Sequence, residues 1–96
     1  MYVLVTYDVN TQTPEGRRRL RNVAKCCLDN GQRVQKSVFE LNVSSTQWAQ
    51  CKHRLESTVD PTLDSLRYYF LGNDWRRRIE TFGVETSFDI DGPLFA

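Results

Sequence analysis

Asp8 is the residue whose type and place most suggest chemistry. It stands in the run Tyr2-Val3-Leu4-Val5-Thr6-Tyr7-Asp8-Val9, where a carboxylate interrupts an apolar stretch. Near the C-terminal end of a strand, such a side chain can leave the core and reach a ligand at the strand mouth. Mg²⁺ is a hard ion that takes carboxylate oxygens, commonly one or two together with substrate phosphate. The same side chain can instead bond a backbone N–H of the turn that follows. One aspartate per chain is thin for metal catalysis. A two-fold dimer repeats every residue across its axis, so two copies of Asp8 can meet there and supply two carboxylates.

The second feature is basic. Arg17, Arg18, Arg19, Arg21 and Lys25 fall in one short stretch, with only Glu15 and Asp29 as acidic neighbours at its two ends. Arginine grips phosphate with a planar fork of donors, and a row of arginines can follow a nucleic-acid backbone. A solvated helix face is the plainer reading, and the shortage of acidic partners weighs for phosphate. Arg76, Arg77 and Arg78 form a second cluster, suited to protecting a sheet edge or to a further phosphate contact. Arg33 can join either patch. The net charge of +1 conceals this asymmetry. Residues 1–36 carry seven Lys/Arg against three Asp/Glu, whereas residues 79–96 carry four acidic residues and no basic one. A protein that coats nucleic acid indiscriminately would be more uniformly basic; local patches are what this charge distribution allows.

Other chemistries find little footing. His53 is the sole histidine and sits opposite the apolar face of its helix, so it should be exposed. Cys51 lies two positions away, where helical side chains do not face each other. Cys26, Cys27 and Cys51 show no CxxC spacing and leave an odd thiol, which favours reduced cysteines. Cys27 and Cys51 fall on apolar helix faces, where cysteine acts as a small hydrophobe. No glycine-rich phosphate loop is present. Tyr68, Tyr69 and Phe70 can offer stacking surfaces, although at strand spacing such residues more often serve core and interface.

These residues need elements to hold them. Tyr2 to Val9 reads as a strand, apolar enough to be central. Thr13 can cap a helix with Pro14 at its first position. That helix runs to about Asn30, with Leu20, Val23, Ala24, Cys27 and Leu28 on its buried face. Asn30-Gly31 ends it, glycine being at ease in the left-handed conformation. Gln32 to Val43 is a second β region, long for one strand, whose alternation slips at Val38-Phe39. It is either two short strands or one bent strand. Ser44-x-x-Gln47 resembles a capping box and opens a helix with Trp48, Cys51, Leu55 and Val59 on one face. Ser65 to Leu71 is a strand, and Gly72-Asn73-Asp74 a turn. Trp75 to Phe82 reads as a hairpin partner or a short helix, with strand preferred. A last strand falls around Ser87 to Ile90. The order β-α-β(β)-α-β indicates an α+β sandwich of the ferredoxin-like kind with a C-terminal extension strand.

At 96 residues the chain suits a single domain, residues 1–96, with residues from about 84 as its extension. No apolar run approaches the roughly 18 residues that span a bilayer. The N-terminus lacks the basic and long apolar regions of a signal peptide, so a cytoplasmic location without membrane attachment is expected. A domain this small buries little surface, and a homodimer would bury more.

One resemblance emerges from these residues. Tyr7-Asp8-Val9, Arg19-Leu20-Arg21-Asn22-Val23-Ala24-Lys25, Gly31-Gln32-Arg33-Val34-Gln35-Lys36-Ser37-Val38-Phe39-Glu40 and Asp64-Ser65-Leu66-Arg67-Tyr68-Tyr69-Phe70-Leu71 occur in order. The series resembles the small CRISPR-associated adaptation nuclease family, the dimeric partner of the CRISPR integrase. The Gly-x-Arg-Val-Gln-x-Ser-Val-Phe-Glu stretch is its most specific part. Lys36 departs from the pattern, since an aromatic residue is common there. The resemblance implies a ferredoxin-like homodimer in which Asp8 binds metal and faces its counterpart across the axis. It implies metal-dependent endonuclease activity on RNA or DNA, as some members have. It also implies a structural role, holding duplex DNA while the integrase inserts spacers. The last strand of such proteins often crosses onto the partner, and residues 84–90 are the candidate segment.

The function expected is therefore a CRISPR adaptation subunit that cleaves phosphodiester bonds with Mg²⁺. Asp8 would be its catalytic and metal-binding residue, and the two basic clusters with Arg33 its nucleic-acid contacts. No side chain offers itself as a general base, so the ion would have to activate water. The alternative is a DNA-binding scaffold of the same fold without catalysis.

Overall fold

β-Branched and aromatic residues make Tyr2–Asp8 the first strand, β1, of the computed structural model, which describes residues 1–84. Thr13 caps helix α1 (Pro14–Asn30) by accepting a hydrogen bond from the Gly16 N–H at 3.1 Å, and Pro14 takes the first turn. Strands β2 (Gly31–Gln35) and β3 (Val38–Asn42) follow. Helix α2 (Ser45–Thr58) opens on a complete capping box between Ser44 and Gln47. Strand β4 (Ser65–Phe70) then leads through a turn to a short 3-10 helix, Trp75–Arg78.

The four strands form one antiparallel sheet in the order β2-β3-β1-β4, the ferredoxin-like arrangement with the first strand inside. Alternation along β1 sends Val3, Val5 and Tyr7 to one face. There they join Phe39 and Leu41 of β3, Val23, Cys26 and Cys27 of α1, and Trp48, Cys51 and Leu55 of α2 in a single core. Both helices therefore cover the same side of the sheet. The other side carries Leu4, Thr6 and Asp8 of β1, Val38 and Glu40 of β3, and Ser65, Arg67 and Tyr69 of β4. Leu4 and Val38 are half-buried there, and Tyr69 is exposed.

Several expectations change. The second β region is two strands, one of the two arrangements expected of it, joined by a turn at Lys36-Ser37 that lies just before the slip at Val38-Phe39. The irregularity in the ladder lies earlier, between Arg33 and Gln35. Leu28 is exposed and Cys26 buried in its stead, because the face continuing from Val23 passes through residues 26 and 27. Trp75–Arg78 is helical and not a strand. Its Trp75 ring lies flat on Tyr2, centroids 3.9 Å apart, a tertiary contact that anchors the segment without a ladder. Gly31 is extended, with φ of −168°, and is not in the left-handed region. Glycine suits it for lack of room: a Cβ would collide with the Glu40 carbonyl oxygen. The three cysteines are buried and free, with Cys26 Sγ 3.7 Å from Cys51 Sγ. The expected strand at residues 87–90 lies outside the described residues.

Candidate nucleic-acid and metal site

Asp8 is the last residue of β1, paired with Ser65 of β4. It is exposed, and its carboxylate makes no hydrogen bond or ion pair among the described residues. The backbone turn after it is closed by other groups. The Asn10 N–H donates to Asp64 Oδ1 at 2.9 Å, and the Gln12 N–H donates to Asn10 Oδ1 at 2.9 Å. Asp8 lines a shallow cleft with Thr6, Tyr7, Ser65, Leu66 and Arg67. On its own sheet face, alternation places the Thr6 and Ser65 hydroxyls and the Arg67 guanidinium around it. The anionic and hydroxyl donors are hard oxygens, which fits Mg²⁺. No cluster of three His, Cys, Asp or Glu residues exists among the described residues, and Asp8 is the one carboxylate among those that line this cleft. That is sparse, and matches an ion that keeps several waters.

The arginines separate into groups. Arg17, Arg18, Arg21 and Lys25 are exposed on α1, which starts at the Asp8 end of the sheet. Arg17 Nη1 donates to the Thr11 carbonyl at 3.2 Å and so leans on the loop after Asp8. Lys25 Nζ lies 3.5 Å from Asp29, which Arg54 also contacts at 3.0 Å. Arg19 is engaged elsewhere: its Nε donates to Asp64 Oδ2 at 2.7 Å and its Nη2 to Oδ1 at 3.3 Å. Arg33 is half-buried on the helix side, its guanidinium 5.0 Å from the Phe39 ring centre and its Nε buried without a hydrogen-bond partner. Arg76 stacks over Trp75 at 4.5 Å, Arg77 pairs loosely with Asp74 at 3.6 Å, and Arg78 is exposed. Trp75 rests on Tyr2, at the far end of β1 from Asp8, roughly 20 Å away at 3.3 Å per residue. Arg17 and Arg18, in the first turns of α1, thus sit at the opposite end of the sheet from Arg76, Arg77 and Arg78. His53 is exposed, as its helical position required.

Two residues escaped the sequence reading. Arg67 shares the Asp8 cleft and was legible only as one polar step in the Ser65-Arg67-Tyr69 alternation. Asp64 is the other, a carboxylate with a side chain 0% exposed. Its neighbour Arg19 holds its carboxyl below the usual aspartate range, against the opposing effect of burial, with backbone N–H groups of Asp60 and Asn10 adding to the shift. A carboxylate with a depressed folded pKa stabilises the fold above the unfolded value of about 3.9 and loses that contribution as pH falls toward the folded value. The melting temperature should therefore fall as pH drops from 5 to 2, and fall less steeply in Asp64→Asn. Identical slopes would mean that the pair contributes nothing pH-dependent.

An antiparallel ferredoxin-like sheet, covered by helices on one side and ending its first strand in a carboxylate unengaged among the described residues, defines the class of domain. The chain belongs to the CRISPR associated protein Cas2 family, whose family model matches residues 1–79. It is 59% identical over 92 residues to CRISPR-associated endoribonuclease Cas2 3 of Rhodospirillum rubrum, covering 96% of this chain and 97% of that protein. It is 56% identical over 94 residues to CRISPR-associated endoribonuclease Cas2 of Chlorobaculum tepidum, covering 98% of each. The crystal structure of Streptococcus pyogenes Cas2 at pH 6.5 matches with a TM-score of 0.77 and 59% identity, over 86% of this chain and 100% of that one. No helix among the described residues is long and apolar enough to cross a membrane.

Proposed function

We propose that this protein is a CRISPR adaptation subunit and a Mg²⁺-dependent endonuclease, with Asp8 as its metal-binding and catalytic residue. The carrying observation is the Asp8 carboxylate itself: exposed at a strand end, in a cleft, and taken by no group among the described residues. The names of the relatives support the activity. Bound Mg²⁺ would polarise the phosphodiester and lower the pKa of a water nucleophile. The chain's own part is to present oxygen ligands and to hold the substrate. Asp8 supplies the charged ligand, and the Arg67 guanidinium in the same cleft can donate hydrogen bonds to a phosphate oxygen.

The proposal includes a homodimer. The open sheet face, with Leu4, Val38 and Tyr69, is only partly covered among the described residues. A two-fold axis through that face would bring two copies of Asp8 together and supply the second carboxylate. A monomer by light scattering would remove this part of the reading. The CRISPR integrase is the proposed protein partner.

Arg17, Arg18 and Arg21 present exposed charge beside the Asp8 end of the sheet and are proposed to hold the nucleic-acid backbone. Replacing all three with alanine should weaken duplex DNA binding and lower the slope of log affinity against log salt by about one unit per arginine. Unchanged slope in a filter-binding titration would place the phosphate contacts elsewhere. Cleavage of labelled single-stranded RNA and duplex DNA should occur with Mg²⁺ and cease with EDTA. The scaffold reading draws on the same exposed α1 surface, which needs no metal. Duplex binding with no Mg²⁺-dependent cleavage of either substrate would select it.

A further inference from the structure

The chain leaving the Asp8 end of β1 is held more firmly than a surface turn requires. The pair Asp8 and Ser65 is the last rung between β1 and β4. Asp64 immediately precedes Ser65, and Asn10 lies two residues beyond Asp8. The Asn10 N–H donates to Asp64 Oδ1 at 2.9 Å, closing a short ring across the end of the sheet. Asp64 is oriented in turn from two other elements. Arg19 of α1 donates to both of its oxygens, at 2.7 and 3.3 Å, and the Asp60 N–H donates to Oδ2 at 2.9 Å.

Asn10 is also fixed from the other side. Gly16 of α1 packs so closely that a Cβ would collide with the Asn10 carbonyl oxygen. The Asn10 side chain accepts the Gln12 N–H at 2.9 Å. Its N–H, its carbonyl and its side chain are thus all constrained. A buried ion pair is a weak source of net stability, and setting a specific geometry is a better reason to keep one.

We infer that Asp64 is a positioning residue for Asp8: its buried carboxylate locks Asn10, and with it the strand end that carries Asp8. The inference rests on the reading of Asp8 as the metal-binding residue. A displacement of about 1 Å can cost roughly a hundredfold in rate. Loss of a group that orients a metal ligand typically costs about 10–100-fold. A site assembled from two copies of Asp8 would suffer the same displacement twice.

Two variants loosen the lock by different routes. Asp64→Asn replaces an acceptor oxygen with an NH₂ that faces donors. Gly16→Ala leaves Asp64 untouched, favours helix, and pushes on the Asn10 carbonyl. Both are compared with wild type and Asp8→Asn for Mg²⁺-dependent cleavage of single-stranded RNA, with kcat and KM measured separately. Amide exchange at Asn10 and in β3 is followed by NMR. In wild type the Asn10 amide should exchange slowly. In each folded variant, judged by unchanged exchange in β3, it should exchange faster, with kcat down by about 10–100-fold and KM within about twofold. Should Asp64→Asn fail to fold, Gly16→Ala carries the test. Faster Asn10 exchange with wild-type kcat would overturn the positioning role while leaving Asp8 in place. Full cleavage by Asp8→Asn would instead overturn the reading of Asp8, and the positioning role with it.

Discussion

Replacing Asp8 with asparagine is expected to abolish Mg²⁺-dependent cleavage while leaving the fold and nucleic-acid binding intact. The change is nearly isosteric, and the side chain is exposed with no partner among the described residues, so the native structure loses no contact. What it loses is the one carboxylate among the described residues lining the cleft, the ligand proposed for Mg²⁺. Metal ions contribute several kcal/mol of charge stabilisation in such reactions. At 1.36 kcal/mol per tenfold, that corresponds to a fall of about a thousandfold in kcat. Binding of duplex DNA should change little, because the exposed arginines of α1 lie on another element. The measurement pairs single-turnover cleavage with binding on the same preparations. Cleavage that survives the substitution, or that persists in EDTA, would locate the activity elsewhere or in a contaminant.

The largest effect on stability is expected for Phe39→Ala. Phe39 is 0% exposed at the centre of the core, its ring 6.1 Å from that of Tyr7 and beneath the Arg33 guanidinium. Truncation would open a cavity between sheet and helices and leave the half-buried Arg33 stem without its platform. Phe-to-Ala changes in cores cost about 3–5 kcal/mol. Small domains hold only about 5–15 kcal/mol in total. At roughly 4–8 °C per kcal/mol for a chain of this size, the melting temperature should fall by tens of degrees. A shift of only a few degrees by calorimetry would show that the core tolerates the loss by collapsing around it.

Local chemistry carried most of the architecture. The apolar run of β1, Thr13-Pro14 and the Ser44–Gln47 box are short-range signals, and each element starts where they place it. The failures involve contacts distant in sequence. Trp75-Arg76-Arg77-Arg78 has no periodicity of its own, and what anchors it is the ring of Tyr2, far away in the chain. Leu28 outranks Cys26 in hydrophobicity, yet the packing of α1 against α2 decides which is buried. Gly31 reads as a helix terminator because its crowding against Glu40 only exists once β2 and β3 pair. The same applies to the site. Asp8 stood out because it interrupts an apolar strand. Asp64 did not, since an aspartate beside a turn gives no sign that Arg19 and two backbone amides will enclose it.

The central place of β1 also has a consequence for how the molecule comes to be made. Val3 pairs with Leu41 on one side and with Phe70 on the other, 38 and 67 residues further along the chain. The first strand to be synthesised is therefore the last to have both edges satisfied. Pairings of such long sequence separation are slow to form, because closing the loop comes before the reward of contact. At about 5–20 residues per second of translation, β1 waits for several seconds with at least one edge open. A nascent chain stalled before residue 70 presents an apolar strand ready to pair with a neighbour, and aggregation of such fragments is the hazard built into an inside first strand.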